Sequence, residues 1–509
     1  MRTFRLSDAE FAALAAGRPT AATLGELRKA QLSRHLLLLR EIGTVPAWYA
    51  GPDARHRLAD PMTALHTAAT LVARRAGSAP PPEHNSSARI LTATHLGRTL
   101  RVRLEDTDPL RARLGLDPAD PLDDAAAAAW QHHLEGAWRL LVERHRAAAE
   151  TVAAVLSVIV PVHPDPGAGG ISATSADAYG AVALSAPADA TSLAVGLLHE
   201  TQHSILNAVR VLFDLVRPST ELGYSPWRAD PRPPFGILHG AYAYLAVTRF
   251  WRGEAARSAS GETARSGDEL ASDDLGMGGH SQLAAFEFAR WRAAVVEAAD
   301  GLLASAVLTA AGRRFAGALR DEVLGWLDEP VPPVIGRLAA GANTEHRVRW
   351  RLENLTVEPA TVATLVAAWR SGAAPPAVPA AAVRPATGRA LERSDRLRLV
   401  HDLLRSERDQ SLPPGSGVRP GTDAQLGENH RTGASAYLKN ADARYLQGDH
   451  DGALAGYLAG LEEFPAEIAL WAGVALTSPY RMVRERPELV RAVWRTLGVE
   501  LRTVANWWQ

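Results

Sequence analysis

An α+β fold dominated by helices is the class this sequence predicts, and three observations predict it. Long stretches of the 509 residues carry apolar side chains at spacings of three and four, the period of a helix packed on one face. Runs of β-branched residues are few and short, enough for one small sheet. Towards the C-terminal end, Tyr445 to Tyr457 followed by Phe464-Pro465 has a Gly448-Asp449 turn, a small alanine for close helix contact and a terminal proline, the marks of a packed helix pair. The expected organisation is a metal-binding catalytic domain over residues 1–330, helical, with N-terminal helices and a small sheet beside its central helix. A small strand, linker and helix region follows over 331–407, then a flexible linker over 408–434, and a tetratricopeptide-like helical cap over 435–509.

In chain order, Leu6-Ser7-Asp8-Ala9-Glu10 opens a short capped helix that runs to Ala15, and residues 23–42 form a longer one with a wide leucine face. Residues 60–76 are also helical. Residues 88–94 and 100–104 read as short strands. An alanine-rich start favours one long helix over 123–155. Leu156-Ser157-Val158-Ile159-Val160-Pro161-Val162 is the strongest strand signal, and residues 171–174 and 180–185 add extended pieces. The last of these can offer its edge to an extended peptide or simply cover the core. Helices are expected over 282–303 and 309–326, and the alternation of Arg347-Val348-Arg349-Trp350-Arg351-Leu352 reads as a strand. Residues 253–279, 372–387 and 412–427 read as polar or Ala/Pro/Gly-rich connections.

The chemistry-bearing stretch is His199-Glu200-Thr201-Gln202-His203, inside an apolar run over 189–216 in which Asp189 or Thr191 caps a helix. His199 and His203, four apart, point the same way one turn from each other, close enough to grip one cation. Glu200 lies a quarter-turn on, where a carboxylate reaches a metal-bound water or steadies the ligands. The competing reading is a pair of core histidines. It has to bear the cost of burying two imidazoles and a carboxylate without compensation.

Composition narrows the partners. A formal charge of −1 gives no basic excess for nucleic acid, and no run of about twenty apolar residues predicts a membrane span. The absence of cysteine excludes disulfides, thiolate metal sites and thiol nucleophiles. No apolar segment follows Met1-Arg2-Thr3-Phe4-Arg5, so a cytoplasmic protein is expected.

A proline-rich loop over 223–236 leads to a helix running from Ile237 to about Trp251, with His239 near its first turn as the choice for a third ligand. Glu287 is the rival. Zinc with three protein ligands and an open position would let Glu200 act as base in peptide hydrolysis. Iron(II) with three ligands on one face leaves room for a bidentate 2-oxoacid and dioxygen. Spacing alone does not choose. Arg228 and Arg232, with Tyr224 and Ser225 nearby, offer guanidinium forks for the distal carboxylate of a dicarboxylic cosubstrate. The extended zincin signatures are missing after His203.

Residues 180–185, Leu198 to His203, Tyr224-Ser225-Pro226-Trp227-Arg228 with Arg232-Pro233, and Leu238-His239-Gly240 together resemble the HExxH-motif peptide-modification proteins. These are encoded beside, or fused to, radical SAM maturases in actinobacterial peptide natural-product clusters. The resemblance implies a 2-oxoglutarate-dependent iron hydroxylase acting at the β-carbon of residues in a ribosomally made precursor peptide. It makes His199, His203 and His239 the iron ligands and seeks the 2-oxoglutarate clamp in Arg228 and Arg232. Glu200 would then steady the ligands. A zinc peptidase trimming a leader peptide, or a metal-free binding partner of the maturase, are the alternatives.

Overall fold

The computed structural model describes residues 4–43, 51–82, 89–165, 170–259, 280–385, 394–406 and 433–508. The expected connections over 412–427, and most of those over 253–279 and 408–434, lie outside these residues. Helix dominates, with one small mixed sheet and a second ladder of only two short strands. Among the described residues, no helix is long and apolar enough to cross a membrane. The chain divides into a first unit (Met1–Thr220, Pro234–Met277 and Trp291–Pro330) and a second (Glu221–Pro233, Gly278–Arg290 and Val331–Gln509).

The first unit opens with α1 (Asp8–Ala15), α2 (Ala21–Ile42), α3 (Ala54–Ala59) and α4 (Pro61–Arg75). The expected capped helix is α1, and Ser7 and Glu10 cap it reciprocally. Strands β1 (Arg89–His95) and β2 (Arg98–Leu104) form a hairpin, followed by α5 (Asp124–Arg144), α6 (Arg146–Val155) and strands β3 (Val158–Val162), β4 (Ser172–Ala173) and β5 (Ala181–Ser185). The sheet order is β1-β2-β3-β5-β4, parallel at β2-β3 and β3-β5 and antiparallel at both edges. β3 and β5 are buried at every position, as parallel strands covered on both faces must be. β5 has a neighbour on each side, so the edge that was expected to meet a peptide falls on β4 instead.

Helix α7 (Ala190–Leu212) starts directly after β5, and α8 (Pro234–Ala259), α9 (His280–Ala304) and α10 (Ala310–Leu324) complete the helices, the first turns of α9 belonging to the second unit. Asp189 caps α7, its carboxylate accepting the Ser192 N–H at 2.7 Å. The helix ends earlier than the apolar pattern suggested. Beyond Phe213 the backbone pairs instead with residues 307–309, through Arg217 N–H to Val307 O at 2.8 Å and Thr309 N–H to Leu215 O at 3.1 Å. Proline 234 takes the first position of α8, where its missing N–H costs nothing, so the helix begins inside the loop the prolines predicted.

Gly196, midway along α7, has room for a methyl group: a Cβ there would meet Leu184 Cδ2 at 3.6 Å. Gly196→Ala should therefore stabilise the first unit by up to about 1 kcal/mol through helix propensity. Chemical denaturation of the two proteins measures it.

The expected single helix over 123–155 is broken at His145, whose φ of −133° leaves the helical region. An ion cluster holds the break: Glu254 on α8 accepts from His145 Nε2 at 2.7 Å, Arg144 at 3.0 Å and Arg257 at 2.5 Å. Although burial alone would raise it, these donors hold the Glu254 carboxyl down at about 2. Its folded pKa lies below the unfolded value, so its stabilisation is complete above about pH 4.5 and is lost as pH falls towards 2. The stability gap between wild type and Glu254→Gln should be about 3 kcal/mol at pH 7 and close as the buffer is acidified through that window.

The second unit contains α11 (Pro333–Asn354), β6 (Leu355–Thr356), α12 (Pro359–Arg370), β7 (Ala382–Val383), α13 (Asp395–Ser406), α14 (Ala434–Leu446), α15 (His450–Glu463), α16 (Ile468–Thr477), α17 (Arg481–Glu485), α18 (Pro487–Leu497) and α19 (Leu501–Asn506). Residues 347–352, expected as a strand, lie inside α11. The alternating arginines misled: Val348 and Leu352, four apart, are what the core takes, while Arg351 Nε reaches Glu488 at 2.8 Å and Arg349 lies 3.7 Å from Glu345. Val348, Leu352 and Leu365 share one core with Tyr457, Trp471 and Val490, so α11 and α12 pack with the C-terminal helices.

Candidate metal centre

Burying α7 fixes the motif. Apolar residues before and after it, including Leu197, Leu198, Ile205 and Val209, pack inward, and α7 lies against α8, α5 and α2. Glu200 is 1% exposed and the two imidazoles are half-buried. Their Nε2 atoms approach to 3.0 Å with the rings perpendicular, at 89°. Glu200 Oε1 lies 3.8 Å from His199 Nε2. Among the described residues this is the one group of three such side chains whose donor atoms all fall within 4.8 Å of one another.

That geometry fits a divalent cation. Two nitrogens each about 2.1 Å from one ion lie about 3.0 Å apart when they subtend a right angle, and about 3.4 Å apart at the tetrahedral angle. The observed 3.0 Å matches the first case. Burial pushes His199 down to about 4, so its ring is neutral at physiological pH and keeps a lone pair for a metal.

His239 reaches the same place from α8. Its ring stacks on His203, with centroids 3.8 Å apart and planes 10° from parallel, and Phe235 lies 5.5 Å beyond. In-plane lone pairs of stacked rings run side by side and do not converge, and His239 is not one of the three side chains whose donor atoms lie within 4.8 Å of one another. To ligate an ion bound by His203, it has to turn out of this stack. One residue that sequence reasoning missed is Tyr244, whose ring meets the His199 ring edge-on at 5.2 Å and packs on Trp291 at 4.3 Å. α7 and α8 run antiparallel here, so His203 then His199 on one meet His239 then Tyr244 on the other. Only knowledge of that pairing would single Tyr244 out of the sequence.

The remaining candidates lie in the second unit. Arg228 donates to Asp230 Oδ1 from Nε at 2.8 Å and from Nη2 at 2.5 Å, and Arg232 Nη1 donates to Asp230 Oδ2 at 3.3 Å. One buried carboxylate thus already occupies two guanidinium groups. Gly223 and Arg232 close the loop with two backbone hydrogen bonds, at 2.8 and 2.9 Å. Tyr224 Oη and His346 Nδ1 share a hydrogen bond of 2.9 Å. Ser225 is fully buried, and its hydroxyl has no hydrogen-bond partner among the described residues. Glu287 lies 2.9 Å from His401 Nε2.

No family model and no curated protein matches this chain.

Proposed function

We propose that this protein is a mononuclear iron(II)/2-oxoglutarate-dependent dioxygenase that hydroxylates the β-carbon of residues in a ribosomally made precursor peptide, in partnership with a radical SAM maturase. The observation that carries the metal reading is the 3.0 Å approach of two imidazole nitrogens beside a buried carboxylate on one packed helix. Its right-angle bite suits six-coordinate iron, and the peptide and the cosubstrate rest on the resemblance of the motifs at 180–185, 198–203, 224–232 and 238–240. When bound, iron(II) with 2-oxoglutarate and dioxygen supplies an oxidant able to replace a C–H bond by C–OH, with release of succinate and carbon dioxide.

The chain's own residues have separable tasks. His199 and His203 hold the ion, and His239 completes the set by rotating out of its stack. Glu200, excluded from water, orients the ligands. The rings of Tyr244 and Phe235 pack against the imidazoles of His199 and His239 and hold them in place. The resemblance of the 224–232 motif assigns the distal carboxylate of 2-oxoglutarate to Arg228 and Arg232. The α14–α15 pair, read as a tetratricopeptide-like unit, caps the second unit.

The burial of Glu200 at 3.8 Å from a ligand nitrogen favours a second reading, a zinc peptidase in which that carboxylate is the base. Anaerobic loading with iron(II) and a precursor peptide, followed by 2-oxoglutarate and air, separates the two. Gain of one oxygen atom by the peptide with stoichiometric succinate is the expected result. Cleavage without cosubstrate, abolished in Glu200→Gln, would establish the peptidase instead.

A further inference from the structure

Away from the motif, the first unit contains a cavity of about 240 Å³, walled by α2, the start of α4, the end of α6 and the segment before β5. The polar groups that line it are unevenly matched. Its two carboxylates are both answered: Asp177 by Arg34, and Asp60 by Arg103 together with the N–H groups of Met62 and Thr63 at 2.7 and 3.0 Å. His35 is fixed between Leu58 O and Thr67 Oγ1, at 3.0 and 2.8 Å.

What is left over consists of donors. Arg28 and Arg101 line the cavity, and neither has a carboxylate within 4 Å among the described residues. The Tyr179 hydroxyl and the Gln31 amide nitrogen are buried and have no hydrogen-bond partner among the described residues. Burial raises the Tyr179 pKa, so the hydroxyl keeps its proton and remains a donor, within the field of Arg28. Two guanidinium forks, a phenol and an amide NH₂ around one recess complement the oxygens of an anion. The volume suits a small molecule.

We infer that this cavity is a binding site for a small anion bearing phosphate or carboxylate oxygens, held by Arg28, Arg101, Tyr179 and Gln31. The inference is independent of the metal chemistry. It is tested on the full chain after chelator treatment and dialysis, so that a metal-bound anion cannot imitate it. Isothermal titration with inorganic phosphate and with citrate at low ionic strength should give saturable binding of one anion per chain, and the tighter of the two identifies phosphate or carboxylate as the group recognised. Arg28→Gln combined with Arg101→Gln, both at exposed positions, should weaken binding about tenfold or more. Tyr179→Phe should weaken it too while leaving the melting temperature of the unliganded protein in place. The inference is overturned if neither anion saturates below about 10 mM, or if either variant binds as wild type does.

Discussion

His203→Ala should reduce bound iron(II) or zinc from one ion per chain to a trace, with affinity lowered about a hundredfold or more. The Nε2 atom it removes is one side of the 3.0 Å pair, and without it the chelating bite of α7 is gone. His239 is where the proposal takes its largest step. A ring that only stacks on His203 could be replaced by phenylalanine at no cost, because the stack at 3.8 Å would persist. A ring that turns to ligate could not. His239→Phe should therefore lose metal nearly as His239→Ala does. Full metal occupancy in the Phe variant would leave His199, His203 and Glu200 as the protein's whole contribution. Folding is checked independently by circular dichroism, since neither change removes a residue from the apolar stripe of α7.

Arg396→Met should cost the second unit about 3–5 kcal/mol, the largest stability effect expected of any single side chain here. Arg396 is 4% exposed and bridges two buried acids, Nη1 to Glu345 Oε2 at 3.0 Å and Nε to Asp442 Oδ1 at 2.8 Å. Tyr457 donates to Asp442 at 2.5 Å and Ser394 to Glu345 at 2.8 Å. Removing the cation strands two carboxylates among apolar side chains. Burial already raises Asp442 above the usual aspartate range. A raised carboxyl pKa weakens folding as pH climbs from the unfolded value through the folded one, and losing Arg396 extends that window upward. Denaturant unfolding of the variant should therefore recover part of the lost stability between pH 7 and pH 4.

Much of the candidate site was legible because local rules and global packing agree there. Asp189 at the cap, apolar residues at helical spacing and two histidines one turn apart all describe one helix, and α7 is that helix. The wholly buried β3 and β5 were equally plain from their apolar runs. Two elements came out differently because ion-pair partners that a periodicity pattern does not register decided the outcome. His145 interrupts a strong helical pattern because Glu254 and Arg257, more than a hundred residues away, hold it there. Residues 347–352 alternate like a strand, yet their arginines are answered by Glu488 and Glu345 on helical geometry. Arg228 and Arg232 both contact Asp230, which is two residues from each, so any cosubstrate carboxylate they take is bound beside that acid.

The most direct measurement is X-ray absorption on the full chain loaded anaerobically with one equivalent of iron(II). The account predicts one tightly held ion per chain whose first shell contains two or three imidazole nitrogens at about 2.1 Å, falling to background in His199→Ala. An iron that washes away on desalting, or a shell of oxygen alone in the wild-type protein, would contradict it.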